Sequence, residues 1–220
     1  MTRVIITVFA LVFLILSCKE RNGYTYAIKD FRKAVQPGLF KIVEKGFVSE
    51  SDSTLAGMAT DEELKKLTHS EHPVLRASAF REMIKRNSFD HLSLILHHLD
   101  DTALVATDGG EFGIWYRMVS DDILQEYNWK SQEEKNKVVD EVITRHNYLR
   151  AAYLILPEID PDEKYYPYIK LMATRPRRLS NAGYELDFDD VEYALYGLAM
   201  FKKREDVKII KTHLAKISGS

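Results

Sequence analysis

Apolar residues recur every three to five positions over most of this chain, close to the period of an α-helix with one buried face. Phe31, Val35, Leu39, Ile42, Val43 and Phe47 trace such a stripe and predict helix over 26–48, broken at Gln36-Pro37-Gly38. The segment 49–54 is polar and reads as a loop. Thr60-Asp61-Glu62-Glu63 is a capping box ahead of Leu64 and Leu67. Pro73 opens a helix that runs to Arg86. Asn87 or Ser88 can cap the next one, in which Leu92, Ile95, Leu96 and Leu99 share a face. A second capping box, Ser131 with Glu134, precedes Val138, Val139, Val142 and Ile143. Asp160-Pro161-Asp162-Glu163 combines an N-cap, a proline at N1 and an acid at N3. Pro167 inside the helix so predicted implies a kink or a late start. Asp189 or Asp190 caps a helix through Lys202, and 207–217 supplies the last.

Only 102–118 departs from this period. Thr102–Thr107 and Phe112–Val119 are rich in β-formers around Asp108-Gly109-Gly110, which is hairpin chemistry. The expected fold is all-α, one helical domain over 26–220, with a small β-hairpin or irregular insertion near 102–118.

The helices also repeat. Leu75-Arg76-Ala77 recurs as Leu149-Arg150-Ala151, each ahead of an amphipathic helix, and 74–77 with Met83 aligns loosely with 191–194 and Met200. The stretch from His72 to Asp101 (Pro73-Val74-Leu75-Arg76, Ala77, Ala79, Met83, then Leu92, Ile95, Leu96, Leu99 and Asp100) resembles a HEAT-like repeat. The resemblance is good over about that stretch, fair over 148–172 and 191–217, and poor over 24–60 and 101–145. It implies antiparallel helix pairs that approach through small residues, with a basic side chain near one helix start paired to an acid from the adjacent turn. It further implies a right-handed α-α superhelix whose open concave surface binds proteins or peptides. HEAT-like enzymes exist, so the fold excludes no chemistry.

The N-terminus carries a different signal. Arg3 precedes an apolar run from Val4 to Leu16, shorter than the roughly 20 residues that span a bilayer. Ile15-Leu16-Ser17-Cys18 resembles the lipobox of bacterial lipoproteins. That resemblance implies cleavage after Ser17, lipidation of Cys18 and a short tether over 18–25. Cys18 is the sole cysteine, so no disulfide framework competes for it. Lys19 follows where the aspartate linked to inner-membrane retention would stand, which favours the outer membrane of a bacterial envelope. The chain also resembles uncharacterised HEAT-repeat lipoproteins.

Charge and chemistry narrow the function. The chain has 31 Lys+Arg and 33 Asp+Glu, a formal net charge of −2, which gives no general attraction to nucleic acid. No phosphate loop, dinucleotide fingerprint, nucleophile elbow or EF-hand register is present. Acidic pairs such as Asp100-Asp101, Asp121-Asp122 and Asp187–Asp190 fall at predicted helix ends, where capping accounts for them. His91 and His98 share a helix face, and His69-Ser70-Glu71-His72 crowds a turn, but neither group has a complete metal-ligand spacing. Aromatic residues are the stronger interaction candidates: Trp115 and Tyr116 in the insertion, and Tyr165, Tyr166 and Tyr168 around Pro167. Arg175, Arg177 and Arg178 add a local positive cluster suited to an acidic partner or headgroup. The expected function is a membrane-anchored, non-catalytic protein-interaction module with no cofactor. The alternative is an envelope enzyme, or a small-ligand or metal protein with a pocket between helices, using His69, His72, His91 or His98.

Overall fold

The computed structural model describes residues 25–49, 53–108, 110–175 and 188–217. The lipobox, Cys18, Arg177 and Arg178 lie outside them. Among the described residues the protein is mostly helical, with ten α-helices and one small sheet. In order these are α1 (Gln36–Lys45), β1 (Phe47–Val48), α2 (Asp61–Leu67), α3 (Pro73–Lys85) and α4 (His91–His97). A hairpin of β2 (Leu104–Asp108) and β3 (Ile114–Met118) leads into α5 (Val119–Glu126). Then come α6 (Gln132–Arg145), α7 (Arg150–Leu154), α8 (Tyr166–Thr174), α9 (Phe188–Met200) and α10 (Val207–Ile217). Neither an apolar helix long enough to cross a membrane nor a cis peptide bond occurs among the described residues.

Local chemistry sets most boundaries. The capping box at α2 forms both of its bonds: Glu63 N–H donates to Thr60 Oγ1 at 3.2 Å, and Thr60 N–H donates to Glu63 Oε2 at 2.9 Å. Ser131 Oγ likewise accepts from Glu134 N–H at α6. Three expectations are corrected. The stretch 26–48 is not one helix with a central break, because Pro37 occupies the first turn of α1, where its missing N–H costs nothing. A 3-10 turn at Ile28–Asp30 precedes that helix, and Gly46, at φ 76°, ends it before β1. Asp90 caps α4, its Oδ1 accepting from Ser93 N–H at 3.2 Å, in place of Asn87 or Ser88. The acid-rich stretch 160–163 only turns the chain, so Asp160 is not the N-cap of this helix; of the kink or late start that Pro167 implies, α8 takes the late start, at Tyr166 with Pro167 in its first turn.

Alternate helices stack. α1 and α5 pack on α3, α7 packs on α5, and α9 packs on α7, while α4, α6 and α8 follow one another in a second row. Consecutive helices close the gap between rows: α2 with α3, α4 with α5, α6 with α7, α8 with α9. Small residues line the approaches, with Ala77, Ala79, Ala152 and Ala194 fully buried around Leu75, Phe80 and Tyr153. A Cβ built on Gly197 of α9 would lie 3.4 Å from Ile169 Cγ2 of α8.

Ion pairs tie one helix to the next but one. Arg81 of α3 grips Asp122 of α5 through Nε at 2.9 Å and Nη2 at 2.6 Å, both side chains buried. Arg150 of α7 reaches Asp190 of α9 at 3.1 Å. Asp121 is fully buried and caps a helix other than its own, since Ala151 N–H of α7 donates to its Oδ1 at 2.8 Å. Arg76, the counterpart of Arg150 in the recurring Leu-Arg-Ala, donates to both oxygens of Asp101 at 2.6 and 2.9 Å.

Candidate functional site

The sheet has a covered face and an open one. Order is β1-β2-β3, with β1 parallel and β3 antiparallel to β2. Residues directly opposite each other share a face, so Phe47, Ala106 and Tyr116 form one row and Val48, Thr107 and Trp115 the other. Val48, Val105 and Thr107 are buried where α3 packs on β1 and β2. Trp115 shares their face but sits at the outer strand, 48% exposed. On the open face Ile114 is 47% and Tyr116 66% exposed. The connection between β2 and β3 uses Gly110 and Gly113 at positive φ, with Gly110 N–H donating to Asp108 Oδ1 at 2.9 Å.

Register also decides which backbone groups face solvent. Val119 N–H donates to Ala103 O at 3.0 Å, which makes 103–119 a hydrogen-bonded pair. Such pairs alternate along an antiparallel ladder, so 105–117 and 107–115 are bonded and 106–116 and 108–114 are not. The N–H and C=O groups of Ile114 and Tyr116 therefore point away from β2, at the outer edge of β3, which no other strand pairs among the described residues. An edge that presents these groups between exposed aromatic and β-branched side chains is suited to receive another strand. Arg117 is held inward, donating to Gln125 Oε1, with Asp122 Oδ1 at 3.7 Å.

The tyrosine segment does other work. Tyr165 is buried, and its hydroxyl donates to Asp140 Oδ1 at 3.3 Å. The Tyr166 hydroxyl lies 2.9 Å from Glu205 Oε1 and 3.0 Å from Asp206 Oδ2, and it accepts from Lys170 Nζ. Lys203 Nζ sits 3.5 Å from the centroid of that ring. Tyr168 is half-buried against the core. Arg175 donates to the Asn147 carbonyl at 2.7 Å and to Asn147 Oδ1 at 2.5 Å. These residues fasten α8 to α6 and to the 201–206 link. They pack on α6 and α9, whereas the hairpin packs on α3, α5 and β1, so the structure does not gather the two aromatic groups into one surface.

Histidines are dispersed. His91 is buried and donates from Nε2 to the Arg86 carbonyl at 2.8 Å, and His72 precedes α3 beside Glu71. His69 and His98 do meet, with ring centroids 5.3 Å apart, and His98 stands edge-on to Phe80 at 4.7 Å. They line an open cleft of about 500 Å³ with Lys65, Phe89, Ser93 and His97. Burial, with the nearby His69 adding to it, pushes the His98 imidazole down to about 4. Among the described residues no three His, Cys, Asp or Glu side chains are grouped to hold a metal ion.

One feature was missed from sequence: a slot of about 210 Å³ lined by Leu124, Trp129, Val138, Val142, Leu154 and Ile155. Trp129 stands edge-on to Tyr127 at 5.2 Å, and the Tyr127 hydroxyl donates to Glu134 Oε2. The aromatic pair just before the Ser131 capping box was the available signal. Comparison with known proteins adds no relative: no family model, curated protein or solved structure matches the chain.

Proposed function

We propose that this chain is a bacterial envelope lipoprotein, anchored through Cys18, in which a HEAT-like array of helix pairs presents the β2–β3 hairpin to a protein partner. The array carries no chemistry of its own in this reading. Support for the repeat comes from the two rows of alternating helices and from the paired arginines, Arg76 and Arg150, that the recurring Leu-Arg-Ala places on acids further along the chain. The observation that carries the interaction role is the hairpin itself. Ile114, Trp115 and Tyr116 are consecutive, exposed and backed by a strand edge that no other strand pairs among the described residues, a concentration of apolar surface that monomeric proteins ordinarily bury or blunt.

Crosslinking in native cells, followed by capture of the full-length protein, tests the reading. Trp115→Ala with Tyr116→Ala is expected to reduce the captured partner about tenfold while helicity stays unchanged. Equal capture by the variant removes the hairpin from the interaction. Metabolic lipid labelling tests the anchor separately, and Cys18→Ala is expected to abolish it. Label that persists in that variant overturns the lipoprotein reading.

A further inference from the structure

The geometry points to a second copy of this chain as the occupant of the β3 edge, joined about a two-fold axis through Trp115 into one continuous six-stranded sheet. This rests on the reading of the hairpin as an interaction surface and names its partner.

The edge is complementary to itself. Two antiparallel β3 strands related by a two-fold axis at residue 115 place Ile114 of one copy opposite Tyr116 of the other, and the reverse. Both residues point their N–H and C=O groups outward, so each of these two pairs exchanges two hydrogen bonds, four in all. The intervening pair, Trp115 with Trp115 of the second copy, occupies a non-hydrogen-bonded site, where side chains come closest. Two exposed indoles then cover each other on one face of the sheet. On the other face Tyr116 covers Ile114 of the second copy, an aromatic against a β-branched side chain. All three apolar side chains exposed on β3 are paired by this single operation.

The neighbouring register is poorer. Centring the axis on Tyr116 would oppose Ile114 to Met118 and Trp115 to Arg117. Met118 is buried and runs directly into α5, and Arg117 is engaged by Gln125 and Asp122, so neither is available to a second strand. Four hydrogen bonds and three side-chain pairs make a small contact, below the area of a stable soluble dimer. Confinement to a membrane raises the local concentration and offsets that weakness, so the anchor and the edge suit each other.

Register-specific disulfide trapping tests the proposal. Single substitutions Trp115→Cys, Tyr116→Cys and Arg117→Cys in the full-length protein, in its native membranes, would be oxidised with copper phenanthroline, and linked peptides identified by mass spectrometry. At a non-hydrogen-bonded pair the Cα atoms lie about 4.5 Å apart, within disulfide reach. Cys at 115 is expected to link to itself, and Cys at 116 or 117 to link at no more than about a tenth of that yield. Self-linkage at 116 or 117 in preference to 115, or none at 115, overturns the pairing. A second measurement is independent of new thiols. Sedimentation of the solubilised full chain over rising concentration should show a monomer–dimer equilibrium. Tyr116→Pro should weaken it about tenfold or more, because proline removes an outward N–H without touching the β2 ladder. A chain that stays monomeric throughout, with no linkage at 115, sinks the self-pairing. The hairpin's role toward a different protein would then still be decided by the capture experiment above.

Discussion

Replacing Asp122 by alanine is expected to be among the most damaging single changes in this fold. Asp122 is fully buried and accepts two hydrogen bonds from Arg81, itself buried. Removing one member of such a pair leaves the other charge without its counter-charge, which costs about 3–5 kcal/mol. Glu126 Oε1 lies 3.1 Å from the same guanidinium and keeps part of the compensation, which places the loss near the lower bound, about 3 kcal/mol. For a chain of this length that corresponds to a fall in Tm of about 6–12 °C. Urea denaturation followed by far-ultraviolet circular dichroism measures the free energy, and calorimetry the Tm. The double replacement Arg81→Met with Asp122→Leu should recover most of the loss, because neither charge of this pair is then left buried without its counter-charge. A loss under about 1 kcal/mol, as expected of an exposed pair, would refute the assignment of this pair as a buried link between α3 and α5.

Two further outcomes follow from the same geometry. His98 has a folded value of about 4 against 6.5 for the free side chain, so the unfolded chain binds the proton more readily between those values. Stability should therefore be complete above pH 6.5 and fall by up to about 3 kcal/mol as pH drops towards 4; His98→Phe should flatten that part of the stability–pH curve, and an unchanged slope would count against it. Gly197→Ala should stabilise by about 0.5–1 kcal/mol, since the added Cβ meets Ile169 and Leu156 at ordinary contact distances of 3.4–3.6 Å while the helix gains propensity. Gly197→Leu should destabilise, and thermal melts of the two variants read the sign directly.

What was legible in the sequence was short-range. The capping boxes at Thr60 and Ser131, the hairpin around Asp108-Gly109-Gly110 and the buried alanines of the Leu-Arg-Ala segments are patterns in which cause and effect lie within a few residues. Long-range partners were not legible. Asp121-Asp122 reads as an N-terminal acidic pair, and nothing near it announces Arg81 or the start of α7. The strand β1 has two residues and exists only because β2, far along the chain, supplies its parallel neighbour. The tyrosine segment shows the same limit. Only a helix that begins at Tyr166 puts Tyr165 into the core and turns Tyr166 onto Asp206, and the acids at 160–163 suggest an earlier start. At the hairpin the exposed aromatics could be named from composition, but the direction of the edge groups needed the register.

The spacing of the ion pairs has a consequence for how the chain folds. Arg81 with Asp122, Arg150 with Asp190 and Asp121 with the start of α7 each close a loop of about one helix pair. Links of that reach keep contact order low, so each pair can consolidate on its predecessor soon after it emerges, with little entropy spent on distant closure. The same economy makes opening piecemeal. α10, which packs on α9 and its own short lead-in turn, is placed to exchange its amide hydrogens well before α3.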